Sequence, residues 1–417
     1  MRRRFFLGTI GSAMTAMPSD TLRLGLIGCG GRGRFLASFL SRFPEVRVVA
    51  VSDPLAPRMD EAAASQRKVE GAPVPALLAD YRRILDRSDI DGVVIATTHH
   101  WHSLPFLEAC QARKSIYVEK PLAFSVGEGR AMVNAAKQAG VVAMMGTQQQ
   151  GVPQFQRAIE LVQSGTLGPV PLIECWNLHP YGPRTGRHPP APPPPGYDWN
   201  RWLGPAPDAP FQQSRLRSNW WFDYSGGMMT DWAVHHFDII CRAMRSYDPD
   251  WVECSGGKTV TTDDADCPDL IHATWKFPGF TATYRYRGFN FFHPIQARPR
   301  DHGIVFYGTK ASVVVDRYGL ELWDENKPHQ KLEEMFKPET EAAWYRAFVD
   351  AAIGRAPVPL DLEWSHRATT VCHVANIAYH TGRRLQWNGQ SEQFPNDKAA
   401  NRYLMAPRRK GFELPPS

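Results

Sequence analysis

Gly28-x-Gly30-x-x-Gly33 follows the apolar run Leu24-Gly25-Leu26-Ile27 and passes into Arg34-Phe35-Leu36-Ala37-Ser38-Phe39-Leu40, which has helical spacing. Strand, glycine turn and helix start, in that order, are what a dinucleotide pyrophosphate needs. The first glycine allows the tight turn, and the second lets the backbone approach the phosphates. The third lets helix and strand pack closely, and the helix N-terminus offers free N–H groups. Gly31 and Arg32 complete the turn. Val46 to Val51 reads as the second strand and ends at Asp53, twenty residues past Gly33. An acid there would accept hydrogen bonds from the adenine-side ribose hydroxyls and repel a 2′-phosphate, which favours NAD over NADP. The competing reading is a strand–helix turn that binds no phosphate.

Two further clusters could carry chemistry. Glu119-Lys120-Pro121 directly follows the apolar run Ile116-Tyr117-Val118. A Lys at that rim would aim its ammonium at whatever lies beside a nicotinamide and donate to a substrate oxygen; the bland alternative is a surface Lys ending a strand. The second cluster is Gly226-Gly227-Met228-Met229-Thr230-Asp231-Trp232-Ala233-Val234-His235-His236-Phe237-Asp238. On a helix, Asp231 and His235 stand at i and i+4 and share a face. A carboxylate beside an imidazole fixes its tautomer and stabilises its protonated form, as a general base requires. The alternative is a histidine satisfied at a helix–sheet contact, which is how His236 reads.

The elements that must position these residues alternate. Leu77 to Asp86, His102 to Arg113 and Val126 to Ala139 have helical patterns, while 92–96, 115–118 and 141–145 read as buried strands. Strands separated by helices imply an α/β, doubly wound parallel sheet, with its ligand crevice at the carboxyl ends of the strands. Asp53, Thr97, Thr98, Glu119, Lys120 and Thr147 to Gln150 all follow strands and should converge on one rim. From Val152 the texture changes. Pro153 to Leu167 is amphipathic, and Val170 to Trp176, Leu270 to Phe277, Phe280 to Tyr286, Gly303 to Tyr307 and Ser312 to Asp316 alternate like antiparallel strands. Ala342 to Ile353 and His366 to His380 read as closing helices. The expected organisation is a leader over 1–20, a dinucleotide-binding Rossmann domain over 21–150, and an α+β domain over 151–417 with a large, open-faced, mainly antiparallel sheet. Inside the second domain, 180–219 carries Pro189-Pro190-Ala191-Pro192-Pro193-Pro194-Pro195. It reads as a polyproline-like loop over the site or at a subunit contact.

A chain of 417 residues fits two domains. The formal charge of +6, three of it from Arg2, Arg3 and Arg4, is too small to argue for nucleic acid. Seven Cys occur with no C-x-x-C pair, so neither a disulfide framework nor a zinc site is expected. The scattered histidines His99, His100, His102, His235 and His236 are not read as metal ligands. No run reaches the ~18 apolar residues of a membrane span. Arg3-Arg4-Phe5-Phe6-Leu7, followed by small residues to Ala16, is similar to a twin-arginine export signal and points to the periplasm, the alternative being a basic N-terminus on a cytoplasmic protein.

Together and in order, the glycine fingerprint, Thr97-Thr98-His99-His100-Trp101-His102, Glu119-Lys120-Pro121, Gly146-Thr147-Gln148-Gln149-Gln150 and Asp231-x-x-x-His235-x-x-Asp238 resemble the glucose–fructose oxidoreductase / inositol dehydrogenase / rhizopine catabolism family, in its exported bacterial form. The resemblance implies an NAD(P)-dependent oxidoreductase acting on a sugar, sugar derivative or cyclitol, and a homo-oligomer, dimer or tetramer. It implies that Lys120 binds and polarises the reacting hydroxyl. His235 accepts its proton, and Asp231 orients His235 or holds the substrate. It places Thr97, Thr98, His102, Glu119 and Gln148 near the cofactor. Ala233 stands where many relatives have Gly, and Gln150 where many have Arg. The same fold and residues would also serve a glycoside hydrolase that oxidises its substrate transiently with bound NAD.

Overall fold

The computed structural model describes residues 21–178, 185–290, 301–324, 326–327, 330–332 and 341–415. The twin-arginine-like stretch and the first residues of the proline-rich segment lie outside them.

The first layer system runs β1 (Leu22–Ile27), α1 (Gly31–Leu40), β2 (Val46–Ser52), α2 (Ala56–Gln66), β3 (Ala76–Leu77), α3 (Arg82–Leu85), β4 (Gly92–Ile95), α4 (Ser103–Gln111), β5 (Ser115–Glu119), α5 (Val126–Ala139) and β6 (Ala143–Gly146). The strands form a sheet in the order β3-β2-β1-β4-β5-β6, and every pair is parallel. This is the doubly wound order whose reversal of direction beside β1 opens a crevice. Both faces are covered, so β4 is buried throughout, as a parallel strand between helices must be. Gly140 closes α5 in the left-handed conformation at φ +64.

One expected helix is absent. Leu77 to Asp86 divides into the edge strand β3 and the single turn α3. Ala76 and Leu77 pair with Ala50 and Val51, and the Asp80 carboxylate accepts from the Arg82 amide to restart the chain as a turn. The unpaired edge of β2 outweighs the local helical pattern.

Beyond β6 come α6 (Pro153–Gln163), β7 (Leu172–Leu178), α7 (Trp199–Leu203), α8 (Val234–Met244), β8 (Trp251–Gly257), β9 (Leu270–Phe277), β10 (Phe280–Arg287), β11 (His302–Tyr307), β12 (Ala311–Asp316), β13 (Gly319–Asp324), β14 (Gln330–Leu332), α9 (Ala342–Ala352), α10 (Leu362–Thr381), β15 (Leu385–Gln386) and α11 (Lys398–Asn401). Among the described residues the second sheet has the order β14-β13-β12-β11-β7-β10-β9-β8-β15. All its pairs are antiparallel except β7 with β10. In β10, Phe280, Ala282, Tyr284 and Tyr286 point into the core while Thr281, Thr283, Arg285 and Arg287 point away. The inward face meets α6, α8 and α10 in one core that includes Phe155, Phe237, Trp275 and Phe306. β8, β13, β14 and β15 have no expected counterpart. α10 starts earlier than its pattern suggests because the Asp361 carboxylate caps it by accepting from the Glu363 amide.

The two sheets are tied together by late segments of the chain. α9 packs Trp344, Tyr345, Phe348 and Val349 against Leu24, Val48, Val94 and Tyr117 of the first sheet. Phe412 meets Trp101 edge-on. The segment from Gly196 also returns to the first sheet: Leu55 and Tyr197 form an antiparallel bridge. Its aromatics Trp199, Trp202, Phe211, Trp221 and Tyr224 make a separate small core around Leu55.

Candidate active site

The carboxyl ends of β1, β2, β4 and β5 open into a cavity of about 350 Å³. Gly28, Gly30, Gly31, Arg32, Asp53, Thr97, Thr98, Glu119, Lys120 and Asp231 all line it. The strand ends and the glycine turn into α1 supply all of these but Asp231, which arrives from the later part of the chain.

The three glycines of the fingerprint are needed for different reasons. Gly28 has φ +94, and a Cβ there would lie 2.6 Å from the Ala96 carbonyl. A Cβ on Gly33 would come within 2.0 Å of the Gly28 carbonyl oxygen, so Gly33 serves the packing of α1 and does not line the cavity. A Cβ on Gly30 would meet nothing within 4 Å. No protein atom requires a glycine there, whereas a close-lying phosphate would. α1 has no side-chain cap, which leaves its first N–H groups for an anion. Thr97 Oγ1 is buried with no hydrogen-bond partner among the described residues. These features fit a dinucleotide.

Asp53 anchors the glycine turn. Its Oδ2 accepts from the Cys29 amide at 2.8 Å and its Oδ1 from the Leu55 amide at 2.9 Å. Burial pushes its carboxyl up from the usual carboxylate range. Each oxygen keeps a second lone pair that can accept from a hydroxyl. Glu119 accepts from Arg32 Nε at 2.8 Å, and Arg32 continues to the Tyr345 hydroxyl of α9 at 2.9 Å. The cofactor turn is thereby braced from both ends of the chain.

Lys120 precedes a cis proline. Its Nζ lies 2.6 Å from Asp231 Oδ1 and 2.6 Å from the Asp231 carbonyl oxygen. His102 stands behind this link, outside the cavity lining. Its Nδ1 lies 2.7 Å from the Pro121 carbonyl oxygen and its Nε2 3.3 Å from that of Thr97. Burial holds its imidazole below the ordinary value, and the shorter contact assigns the single ring proton to Nδ1. His102 thus joins the end of β4 to the bend after Lys120.

Asp231 lies in a π-helical turn, Met229–Ala233, that leads into α8. Such turns recur at functional sites. The expected Asp231–His235 pair is not formed: the carboxylate faces Lys120, with His99 Nε2 3.9 Å away. A charged ammonium is a stronger partner for a carboxylate than a neutral imidazole. His235 is buried in the first turn of α8, and its Nδ1 has no hydrogen-bond partner among the described residues. Its ring meets Trp232 edge-on, with centroids 5.8 Å apart. Burial, then the nearby Lys120 and Arg317 cations, hold its pKa well below the ordinary histidine value. The imidazole is therefore neutral and able to accept a proton. It is not part of the cavity lining.

The 147–150 stretch departs from the expected rim. Gln148–Gly151 form a buried 3₁₀ turn that faces α8. Gln150 Nε2 donates to Asp238 Oδ2 at 2.6 Å, and Arg242 donates to Gln150 Oε1. With its amide turned so that both neighbours are satisfied, Gln149 donates to the His235 carbonyl oxygen and accepts from Arg317 Nε. Gln148, expected near the cofactor, does not line the cavity. Gln149 and Gln150 tie this loop to α8, while Gln148 Oε1 is buried with no hydrogen-bond partner among the described residues.

Sequence reasoning did not single out His99, Arg58 or Tyr81, and it read the proline-rich segment as a loop over the site or at a subunit contact without naming Arg201, Trp202, Ser218 and Asn219. Arg58 could have been suspected from its place just after Asp53. His99 directly follows Thr97 and Thr98 after β4, and Tyr81 precedes α3; Arg201, Trp202, Ser218 and Asn219 depend on the distant Leu55–Tyr197 bridge, which no local spacing announces. The histidines do not form a common cluster. His100 contacts the Leu203 carbonyl oxygen and His236 contacts Asn177, and among the described residues no three His, Cys, Asp or Glu are grouped to hold a metal. A larger cavity of about 820 Å³ lies between α10 and residues 397–408, but it contains neither the fingerprint nor Lys120.

Comparison with known proteins agrees with this geometry. Residues 22–147 match a family model described as an oxidoreductase family with an NAD-binding Rossmann fold. Residues 198–314 match a GFO/IDH/MocA C-terminal domain, and residues 320–414 match an oxidoreductase-family C-terminal alpha/beta domain. The chain is 24% identical over 218 residues to myo-inositol 2-dehydrogenase of Thermotoga maritima, covering 52% of this chain and 53% of that protein. It is 29% identical over 170 residues to a glycosyl hydrolase family 109 protein of a Shewanella species, covering 40% and 37%. These matches span about half or less of each relative. A solved levoglucosan dehydrogenase, in complex with NADH and levoglucosan, superposes with a TM-score of 0.68 at 18% identity, covering 88% of this chain and 99% of that one. At that identity the likeness establishes the fold.

Proposed function

The chain belongs to the GFO/IDH/MocA oxidoreductase family, and from that premise we propose that it is an NAD-dependent dehydrogenase of a sugar, sugar derivative or cyclitol. The observation that carries this reading is the Lys120–Asp231 pair in the lining of the glycine-turn cavity, with a neutral His235 four residues past Asp231 in the first turn of α8. Bound NAD supplies the hydride acceptor, nicotinamide C4. The Gly28–Arg32 turn and the first amides of α1 take the pyrophosphate, and Asp53 takes the adenine-side ribose. Asp53 also disfavours a 2′-phosphate, which supports NAD over NADP. Lys120 exchanges one of its two hydrogen bonds to Asp231 for one to the substrate hydroxyl and polarises it. His235 accepts the hydroxyl proton. Such base assistance typically supplies ~10²–10⁴-fold, and alignment of the carbinol carbon supplies much of the rest.

Among the described residues no helix is long and apolar enough to cross a membrane. The Arg3-Arg4 leader supports export to the periplasm by a route that carries folded proteins. An exported enzyme has no cellular NAD pool, so the proposal includes a retained cofactor recycled between two substrates. The open face of the second sheet, with Leu172 and Trp323 exposed, supports a homo-oligomer that sedimentation would size.

Mass spectrometry of the protein as isolated is the first test. NAD carried through purification, or NADH binding in titration, is expected; a protein that binds no dinucleotide overturns the reading. A screen of free sugars and glycosides follows. The similarity to family 109 glycosyl hydrolases favours one second reading, in which substrate is oxidised, eliminated and reduced again. Release of an aglycone without net NADH would establish it in place of the dehydrogenase.

A further inference from the structure

The cofactor cavity has a wall that is not part of the Rossmann fold. Opposite the glycine turn and Asp53, it is lined by Arg201, Trp202, Leu216, Ser218 and Asn219. These side chains belong to the segment that follows the proline run. Two backbone hydrogen bonds hold this segment across the start of α2, directly after Asp53. The Ala56 amide donates to the Gly196 carbonyl at 2.9 Å and the Asp198 amide to the Pro54 carbonyl at 3.0 Å, and together they make the Leu55–Tyr197 bridge. The segment is stiff beyond this latch. Trp199 and Trp202 stack with centroids 4.6 Å apart, and the Asp198 carboxylate caps α7 by accepting from the Arg201 amide. Trp101, in the 3₁₀ turn His99–Trp101 that follows β4, donates from Nε1 to the Trp202 carbonyl at 2.9 Å. The segment is therefore latched at two places on the sheet, and the cavity lies between them.

We infer that residues 196–221 form the second half of the dinucleotide site, a strap that binds the adenosine end through Arg201, Trp202, Ser218 and Asn219 and must unlatch from Pro54–Ala56 before the cofactor can leave. The inference rests on the NAD reading above and deepens it. The adenosine end is assigned because the strap lies on the β2 side of the cavity, where Arg201 donates to the Ala79 carbonyl oxygen at 3.0 Å and the Asp198 amide to that of Pro54; Asp53, Arg58 and Tyr81 belong to that side, and the ribose-binding acid marks it. A strap that must open before release makes release slow. That suits an enzyme that keeps its cofactor through many turnovers.

Two experiments on the full chain decide it. In the wild type, hydrogen exchange of residues 196–221 is expected to slow several-fold when NAD is added; unchanged exchange at saturating NAD overturns the strap. A covalent latch provides the second test. A Cβ on Gly196 would lie 3.6 Å from that of Ala56, inside the ~3.5–4.5 Å range of a disulfide. In the Ala56→Cys, Gly196→Cys double variant, the oxidised protein should release NADH about tenfold more slowly than the same protein after reduction. Equal rates in the two states overturn the inference while leaving the NAD reading intact. A wild type that binds no NADH at all would defeat the NAD reading first. Should the double variant not fold, the exchange measurement on the wild type decides.

Discussion

The Lys120 ammonium donates two hydrogen bonds to one residue, Asp231, reaching its carboxylate and its backbone carbonyl at 2.6 Å each. Lys120 sits at the end of a parallel strand and Asp231 in a π-helical turn of the other domain. The contact therefore fixes the relation between the cofactor domain and the helix that carries His235. Both side chains are mostly shielded from solvent, so each satisfies hydrogen-bonding groups that water does not reach freely.

Lys120→Met should lower kcat/KM by roughly 10²–10³-fold, the usual effect of losing one donor to a reacting oxygen. NADH binding should remain. The variant should also lose stability, by about 1–3 kcal/mol, because the Asp231 carboxylate is left without its partner. Asp231→Asn keeps an acceptor for Lys120 and should lose less. Steady-state kinetics beside thermal melts check both; wild-type turnover in Lys120→Met would remove Lys120 from the mechanism.

His235→Gln should lower kcat by ~10²–10⁴-fold while leaving cofactor binding unchanged. Burial and the Lys120 and Arg317 cations hold the His235 pKa well below 6.5. The protonated ring is the inactive form, so its loss of activity must come on the acid side. On that account kcat/KM should stay level as pH falls from 8 to 6.5 and decline only below it. An acid limb centred at or above 6.5 that disappears in His235→Gln would contradict the neutral, buried base.

The glycines should separate binding from folding. Gly33→Ala drives a methyl into the Gly28 carbonyl oxygen and should displace α1 from β1, lowering both melting temperature and NADH affinity. Gly30→Ala meets no protein atom, so it should melt like the wild type and bind NADH weakly. Titration and melting curves on the two variants give the comparison. Equal NADH affinity in Gly30→Ala would place the pyrophosphate elsewhere.

Asp238 predicts a pH dependence of stability. Burial raises its carboxyl from 3.8 to about 7, against the opposing hydrogen bond from Gln150. The folded state then holds this proton more tightly than the unfolded state. Its contribution is complete below pH 3.8 and is lost as pH rises through 7. Asp238→Asn removes the titration and keeps an acceptor for Gln150. Between pH 5 and 8 the variant should gain about 1–3 kcal/mol relative to the wild type. Denaturant melts at the two pH values measure it, and a constant difference would show that Asp238 titrates in the ordinary range.

The cofactor half of the site was legible because its requirements are local. A glycine at φ +94, an uncapped helix start and an acid at the end of the next strand lie within one strand–helix–strand unit, so their spacing can be read along a short stretch of chain. Leu77 to Asp86 was misread for the opposite reason: its helical periodicity is real, but a free sheet edge beside Val51 offered ladder hydrogen bonds. The 147–150 stretch follows a strand as expected, yet Gln150 turns toward Asp238 and Gln149 toward the His235 carbonyl. Which neighbour a buried amide finds depends on α8, far along the chain.

The sequence by itself determined the parallel sheet, the glycine turn and the candidate residues Lys120, Asp231 and His235, since strand burial, turn geometry and side-chain chemistry are properties of short segments. Only the tertiary structure decided that Asp231 serves Lys120 and leaves His235 to its buried, neutral state, and that Trp202 and Asn219 wall the cofactor cavity. Those outcomes depend on which charged group lies nearest in space and on a bridge between Leu55 and Tyr197, and such pairings arise when the two sheets dock.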